Sequence, residues 1–508
     1  MEKLVLAWSA IGLYVLVTSY LAYRGWRRTK SLESFAVGGG DIAPWIVGLS
    51  LAAQLTSVAT FVINPGLIYA YGLSGLLGFG VAAASGVIVG LIVFSKRFRR
   101  AGTSVAALSV PQWLGARYQS RAFSLGFAVL SLALLSFAVL IVVALAHVLH
   151  VLLGLPGWAM ALSVIVFVYA YVLMGGVNTH AYTNAVQAVI MLAVALLLVG
   201  WAMPTLWEGE GLVKRLFAID PVLVSLVNPK SLYFRNLFEV FFCNFAVGLA
   251  LTCQPHVLSK ALYLKKDSEV RTYLSVAILA GTVFVTVMFV GLAARVALPA
   301  GTKLDLVIPT YIATNFSPAL QVIVTIGILC AGISTLEGIL LALSTITSVD
   351  LYLGAFSNSL LKGRTESWRQ RSALVVGRLS IVAFGIVTFL LARWQLENPT
   401  GGSVAIFAQY GVYALITGSF VPLASGMLIP QARRATVAAA TLASVGAYIA
   451  AALLGFTHMS NNPAFLATCG ILAGWTVFAV GLLLQRVSGT EALCRLSSGT
   501  SRPSAASR

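Results

Sequence analysis

Ser334, Thr335 and Glu337 sit close together inside the otherwise apolar run CAGISTLEGILLALSTITSVD, residues 330–350. Hydroxyl and carbonyl oxygens are the ligands that hard cations take in place of water. Stripping water from an unpaired ion in hydrocarbon costs on the order of tens of kcal/mol in the idealised limit, so an ion at that depth needs several such oxygens. The plainer alternative is that the two hydroxyls bond back to carbonyls of the preceding helical turn. A second oxygen-bearing block, Gln54, Thr56, Ser57 and Thr60, lies in GLSLAAQLTSVATFVINPGLIYAYG, 48–72, where Asn64, Pro65 and Gly66 follow it. A third apolar segment, NLFEVFFCNFAVGLALTCQPHVLSK, 236–260, carries Glu239, Asn244, Gly248, Gln254, Pro255 and His256. Pro255 and His256 read there as the termination of a helix rather than as binding groups.

These residues need a scaffold, and composition names its class. The chain has 508 residues, 59% hydrophobic and 9% charged. A soluble domain is roughly a quarter charged. Apolar runs of about 20 residues recur along nearly the whole length, as membrane-spanning helices require. The net charge of +18 does not indicate nucleic acid, because no basic face is interleaved with aromatics. Cys243, Cys253, Cys330, Cys469 and Cys494 lack metal-ligand spacing, and most lie in apolar runs as small packing residues. The first apolar run, Leu4–Tyr23, is long enough to span, and a basic cluster follows it in place of a cleavage site.

Thirteen spans are predicted, near 4–23, 42–70, 74–95, 122–152, 157–175, 182–203, 236–255, 273–295, 317–349, 373–393, 403–427, 435–455 and 463–485. If thirteen helices alternate, most of the 33 basic residues fall on one side. They are Arg24 to Lys30, Lys96 to Arg121, Lys260 to Arg271, Lys362 to Arg371, Arg433, Arg434 and the C-terminal arginines. The positive-inside rule then puts the N-terminus outside and the C-terminus in the cytoplasm. Residues 1–485 form one transporter-like membrane domain, and 486–508 a polar, disordered cytoplasmic tail. No soluble catalytic domain is evident.

Spans two to six and seven to eleven, about 42–203 and 236–427, form two sets of five. Each opens on an interrupted span and has a long third helix. Five is odd, so the second set enters the membrane the other way up. Inverted repeats with a discontinuous first helix bind substrate and ion near the membrane midplane.

Five motifs, in order, resemble the sodium/solute symporter family, in its proline, pantothenate and acetate symporter-like branch. FAVGGGDIAPWIVGLSLAA is similar to the family's glycine-rich entry into the first core helix. INPGLIYAYG resembles its Pro-Gly-x-x-Tyr-x-x-Gly ending. YVLMGGVNTHAYTNAVQ resembles the segment of the fifth core helix, and QPHVLSKALYLKKDSEVR the Gln-Pro-His segment. AGISTLEGILLALSTITSVDLY resembles the eighth core helix. The likeness covers about residues 5–485. It implies an all-α integral membrane protein of about 13 transmembrane helices, with a five-plus-five inverted repeat (LeuT-like) whose first and sixth core helices are broken.

The resemblance also implies a sodium site, with carbonyls from Ala53, Thr56 and Ala331 and hydroxyls from Ser334 and Thr335. Residues 331, 334 and 335 share one helix face by spacing, which agrees with it. One departure stands out. The family carries an acid where this chain has Asn184, beside the retained Thr183 and Gln187. This predicts one sodium at most, held more weakly, or a different coupling ion. No lysine lies nearby in the sequence to stand in for a cation. Glu337 reads either as a proton carrier or paired charge, or as a buried acid bonded between helices. His147 and His150 are expected near the outer mouth, and His180 and His256 near the inner face.

Candidate solute contacts are Gln54, Ser57, Thr60, Asn244 and Gln409, with Tyr410 or Tyr413 as a gate or a packed core aromatic. The expected function is sodium-coupled symport of a small organic solute, a carboxylate or an amino acid, by alternating access in the cell membrane. Proton-coupled or uncoupled carriage on the same fold is the alternative, and a transporter-like sensor a weaker one. The partners are the solute and the lipid bilayer. Neither a nucleic acid nor an obligatory protein partner is indicated, and nothing points to an enzyme.

Overall fold

The computed structural model describes residues 2–28, 31–37, 42–207, 211–356, 361–455 and 457–498. Lys30, residues 38–41 of the glycine-rich motif, and residues 499–508 of the expected tail lie outside these. No strand occurs among the described residues.

The membrane helices are α1 (Glu2–Arg28), α2 (Pro44–Leu55 and Ala59–Tyr71), α3 (Leu73–Ser104), α4 (Arg121–Leu153), α5 and α6 within Gly157–Leu206, and α7 (Phe238–Leu251 and Pro255–Tyr263). They continue with α8 (Glu269–Ala297), α9 (Pro318–Gly354), α10 (Glu366–Glu397), α11 (Val404–Leu428), α12 (Arg434–Leu454) and α13 (Pro463–Ser498). The last continues past residue 485 into the segment read from sequence as tail.

Ten of these helices among the described residues are long and apolar enough to span singly, and the two bent pairs bring the number to twelve. The stretch Gly157–Trp207 holds 51 residues of near-continuous helix. At 1.5 Å per residue it would measure about 75 Å, more than twice the hydrocarbon core. It turns at Gly176, whose φ of +62° is a conformation that a side chain disfavours. Dividing it there, into 157–175 and 177–206, gives the thirteen crossings expected from the sequence.

Both five-helix sets open on a bent helix. α2 bends by 50° and α7 by 58°. The break in α2 falls at Thr56, which leaves helical geometry at φ −96° and ψ 78°. Asn64, Pro65 and Gly66 do not interrupt it. A π-helical turn, Ala59–Ile63, leads into an α-helical stretch in which Pro65 occupies the first turn, where its missing N–H costs nothing. In α7 the chain loosens over Thr252–Gln254, and Pro255 opens the second half. The reading of Pro255 and His256 as a terminus is therefore corrected. A proline at the first helical position starts a helix as readily as it stops one.

α9 lies buried through most of its length, and α1 shows most of its surface to the outside. Leu13, Leu16, Leu279, Leu442 and Leu453 are exposed, as a lipid-facing belt requires. α3 and α7 meet backbone to backbone. A Cβ on Gly248 would sit 2.1 Å from the Ala83 carbonyl oxygen, and one on Gly86 2.3 Å from that of Phe245.

Loops tie the ends of the bundle. Asp305 accepts bonds from Ser403 Oγ (2.5 Å) and the Val404 N–H (3.0 Å), which docks the α8–α9 connection on the start of α11. At the ends of α3 and α7, Arg99 and Arg100 both pair with Asp267.

Candidate functional site

The end of the first half of α2 leaves its last carbonyls without helical donors, because the chain departs at Thr56. α9 supplies donors instead. Ser334 Oγ lies 3.0 Å from the Ala53 carbonyl oxygen, and Thr335 Oγ1 2.9 Å from that of Gln54. Each hydroxyl also reaches the Ala331 carbonyl, at 3.0 and 3.3 Å. Five oxygens thus gather in one fully buried spot. Three are carbonyls, and the two hydroxyls bring only two protons among them. Such a cluster is rich in lone pairs and poor in donors, which suits a hard monovalent cation.

The structure brings Ala53, Ala331, Ser334 and Thr335 together. Thr56 is the residue at which the half-helix ends, and its N–H donates to Ala52 at 3.0 Å. The hydroxyl partner on that side is the Gln54 carbonyl. Sequence reasoning singled out Gln54 for its side chain, and no property of the side chain signals that its carbonyl is free.

Around this cluster lies a second, denser polar network. Glu337 is buried and takes donors on both oxygens. Tyr171 and Gln187 (3.2 Å) reach Oε1, while Thr183 (2.9 Å) and His180 Nδ1 (3.3 Å) reach Oε2. Four side chains thus surround the one buried carboxyl group. Gln187 also donates to Tyr14 of α1 at 2.8 Å, so the peripheral helix touches the centre. Asn184 Nδ2 lies 3.3 Å from the Ser334 carbonyl and 3.5 Å from that of Ser50. Asn184 Oδ1 is buried without a donor.

His180 and His256, expected near the inner face, are both buried in this network. The His180 ring sits between Glu337 and Gln54 Oε1 (3.4 Å), and Gln54 Nε2 donates to the His256 carbonyl at 2.9 Å. Lys260, counted from the sequence among the loop cations, is fully buried. Its Nζ donates to the Ser50 carbonyl at 3.0 Å and to Ser50 Oγ. A lysine does therefore stand beside Asn184, on the same carbonyl. The second half of α7 carries it there, and linear proximity could not reveal it.

A cavity of about 420 Å³ abuts the break in α2. Gln54, Ser57, Thr60, Asn244, Gln409 and Tyr413 line it, and Tyr410 does not. Several of these side chains are already engaged. The Gln54 amide bridges α6 and α7, as described. Ser57 Oγ accepts the Ala59 N–H at 3.1 Å. Asn244 Nδ2 donates to the Glu239 and Val240 carbonyls, at 2.8 and 3.3 Å. Among the lining residues, Gln409 Oε1, Gln254 Oε1 and His256 Nδ1 are buried without a partner. Sequence reasoning missed Gln254 and His256, whose position at an apparent helix end pointed to structure alone. No lining residue carries a fixed charge.

A family model described as the sodium:solute symporter family matches residues 35–391, well over half the chain. Among curated proteins, the chain is 26% identical to a sodium/pantothenate symporter of Haemophilus influenzae, over 77% of this chain and 86% of that one. It is 26% identical to a high-affinity proline transporter of Bacillus subtilis, over 77% and 80% of the two chains. Among solved structures, it aligns with a Na+-coupled sialic acid symporter in a substrate-bound outward-open state. The TM-score is 0.75 at 18% identity, over 94% of this chain and 98% of that one. A manganese transporter of Eremococcus coleocola aligns at TM-score 0.53 and 14% identity, over 89% and 94% of the two chains. These structural likenesses establish a shared fold.

Proposed function

The chain belongs to the sodium:solute symporter family, and on that premise we propose that it is a secondary active transporter in which a sodium gradient drives uptake of a small organic solute. Sodium is carried as a transported ion, held by the Ala53, Gln54 and Ala331 carbonyls with the Ser334 and Thr335 hydroxyls. The single observation that supports this most is that oxygen cluster, which joins two helices across a break.

The mechanism follows from where the cluster sits. An ion between α2 and α9 replaces the two weak hydroxyl bonds with direct attraction to all five oxygens. It therefore holds the half-helix of α2 against α9, and Gln54 belongs to that half-helix and to the solute cavity alike. Ion binding orders one wall of the cavity, so solute binds best to the ion-loaded form. One positive charge moved through 100 mV supplies about 2.3 kcal/mol, a solute gradient of about fortyfold.

The solute is a small carboxylate or an amino acid. Relatives named for proline and pantothenate support this class. An amino group or hydroxyl on the solute would satisfy the free acceptors on Gln254, Gln409 and His256. The protein lies in the cell membrane with its N-terminus outside and its C-terminus in the cytoplasm, the arrangement that the basic loops favour.

Uptake into proteoliposomes, with inward gradients of sodium or of choline, tests the reading. Candidate solutes come from a thermal-shift screen run in both salts. Sodium-dependent accumulation of a stabilising solute is expected. Equal accumulation in choline with an inward proton gradient would favour the proton-coupled alternative, which the neutral Asn184 and the buried Glu337 motivate.

A further inference from the structure

Lys260 raises a question that the ion cluster alone does not answer. Its side chain is fully buried in a membrane helix, yet no carboxylate bonds it. Its Nζ rests on the Ser50 carbonyl and hydroxyl, one helical turn before Ala53 and Gln54, whose carbonyls belong to the ion cluster. Asn184 bonds that same Ser50 carbonyl and the Ser334 carbonyl, and leaves Oδ1 without a donor. Position 184 is therefore a neutral side chain whose amide N–H links the carbonyl that the lysine bonds to the Ser334 carbonyl.

The charges nearby are few. Glu337 is the acid of this network, bonded on both oxygens, and Lys260, on the Ser50 carbonyl and hydroxyl, is a base beside it, so the two sum to zero charge. The region is thus balanced before any ion arrives. The first alkali ion adds one uncompensated positive charge, and a second would add another within a water-poor space. Had the lysine been neutral in type, the same space would carry a net negative charge and favour cations more strongly.

We infer that the Lys260 ammonium is a resident cation of the ion pocket: held on the Ser50 carbonyl, it takes the place of a second alkali ion, limits the pocket to one sodium, and weakens the binding of that one. This rests on the sodium-coupled reading above. A lysine that merely stapled the two half-helices would act in the opposite direction, because its removal would loosen the pocket and weaken ion binding.

The test counts sodium directly on the full-length protein in nanodiscs, by equilibrium binding of radioactive sodium without solute. Wild type is expected to bind one ion per chain. Lys260→Gln should bind one ion at least tenfold more tightly, and Lys260→Arg, which keeps the charge, should resemble wild type. Asn184→Asp should still bind one, because the new carboxylate meets the ammonium on the shared carbonyl. Asn184→Asp with Lys260→Gln should bind two, along a sigmoidal curve. Lys260→Gln binding as weakly as wild type or more weakly, or Asn184→Asp alone binding two ions, overturns the inference. The single variants decide the matter even if the double variant fails to fold. Wild type binding no sodium would instead overturn the coupling reading itself, a result distinct from any of these.

Discussion

Thr335 donates its hydroxyl to the carbonyl of Gln54 at 2.9 Å, joining residues 281 positions apart. Ser334 and Ala53 make the same link one residue earlier, at 3.0 Å and the same separation. The two bonds run in register, so the frayed end of one half-helix lies along one face of α9. Both hydroxyls would have satisfied themselves on the preceding turn alone. Their reach across the interface is what turns two ordinary intramembrane hydroxyls into half of an ion cage.

Removing either hydroxyl should therefore act on the ion more than on the fold. Ser334→Ala and Thr335→Val are each expected to weaken sodium binding at least tenfold, about 1.4 kcal/mol. The loss of one hydrogen bond should lower stability by only about 1 kcal/mol. Sodium titration of thermal unfolding reads both quantities. Unchanged sodium dependence in both variants would remove the cluster from the mechanism.

Glu337→Gln keeps the size of the side chain but turns one acceptor into a donor. That donor then faces the Tyr171 hydroxyl and the Gln187 amide, or the Thr183 hydroxyl and the His180 ring. A loss of about 2–4 kcal/mol in stability is expected, because buried donors are stranded. Thermal unfolding in detergent measures it. A variant as stable as wild type would show that the donors find other partners.

Glycine positions separate backbone demands from chance. Gly176→Ala forces a side chain into φ +62° against Phe35 at 3.0 Å, which should cost about 1–3 kcal/mol. Gly248→Ala should cost at least as much, since its Cβ would meet the Ala83 carbonyl at 2.1 Å. Gly200→Ala and Gly126→Ala have nothing within 4 Å, and should leave the melting temperature unchanged or slightly raised. Equal losses at all four sites would refute the distinction.

Asp267 governs an acid-sensitive latch between α3 and the loop after α7. The hydrogen bond from Arg100, helped by the charges of Arg100 and Arg99, holds its carboxyl below the usual carboxylate range. A depressed acid stabilises the fold above its unfolded pKa, about 3.9, and that contribution disappears as pH falls through the lower folded value. Asp267→Asn should therefore be less stable than wild type at pH 7, with the gap closing below about pH 4. Melting curves from pH 7 to pH 3 would show this, and a gap that stays constant would exclude it.

Much of this was legible in the residues. The apolar run lengths give the thirteen crossings, because a hydrocarbon layer of fixed thickness sets the length of each helix. The two interrupted spans could be located because polar groups and prolines are costly in hydrocarbon unless the helix opens there or neighbouring helices satisfy them. The spacing of Ala331, Ser334 and Thr335 already placed them on one face of a helix. Pro255 misled, because the same residue serves at the start of a helix and beyond its end, and only the path of the following chain tells which.

The sequence by itself determined that this is a membrane-spanning bundle with oxygen-bearing breaks, since hydropathy and helix periodicity are local properties that each segment carries alone. Which oxygens meet was decided only by tertiary structure. The Gln54 carbonyl looks like every other carbonyl until its helix ends beside Thr335. Lys260 looks like a loop cation until the second half of α7 folds it onto Ser50. Backbone groups carry no identity in a sequence, and charges are counted along the chain in one dimension but balance one another in three.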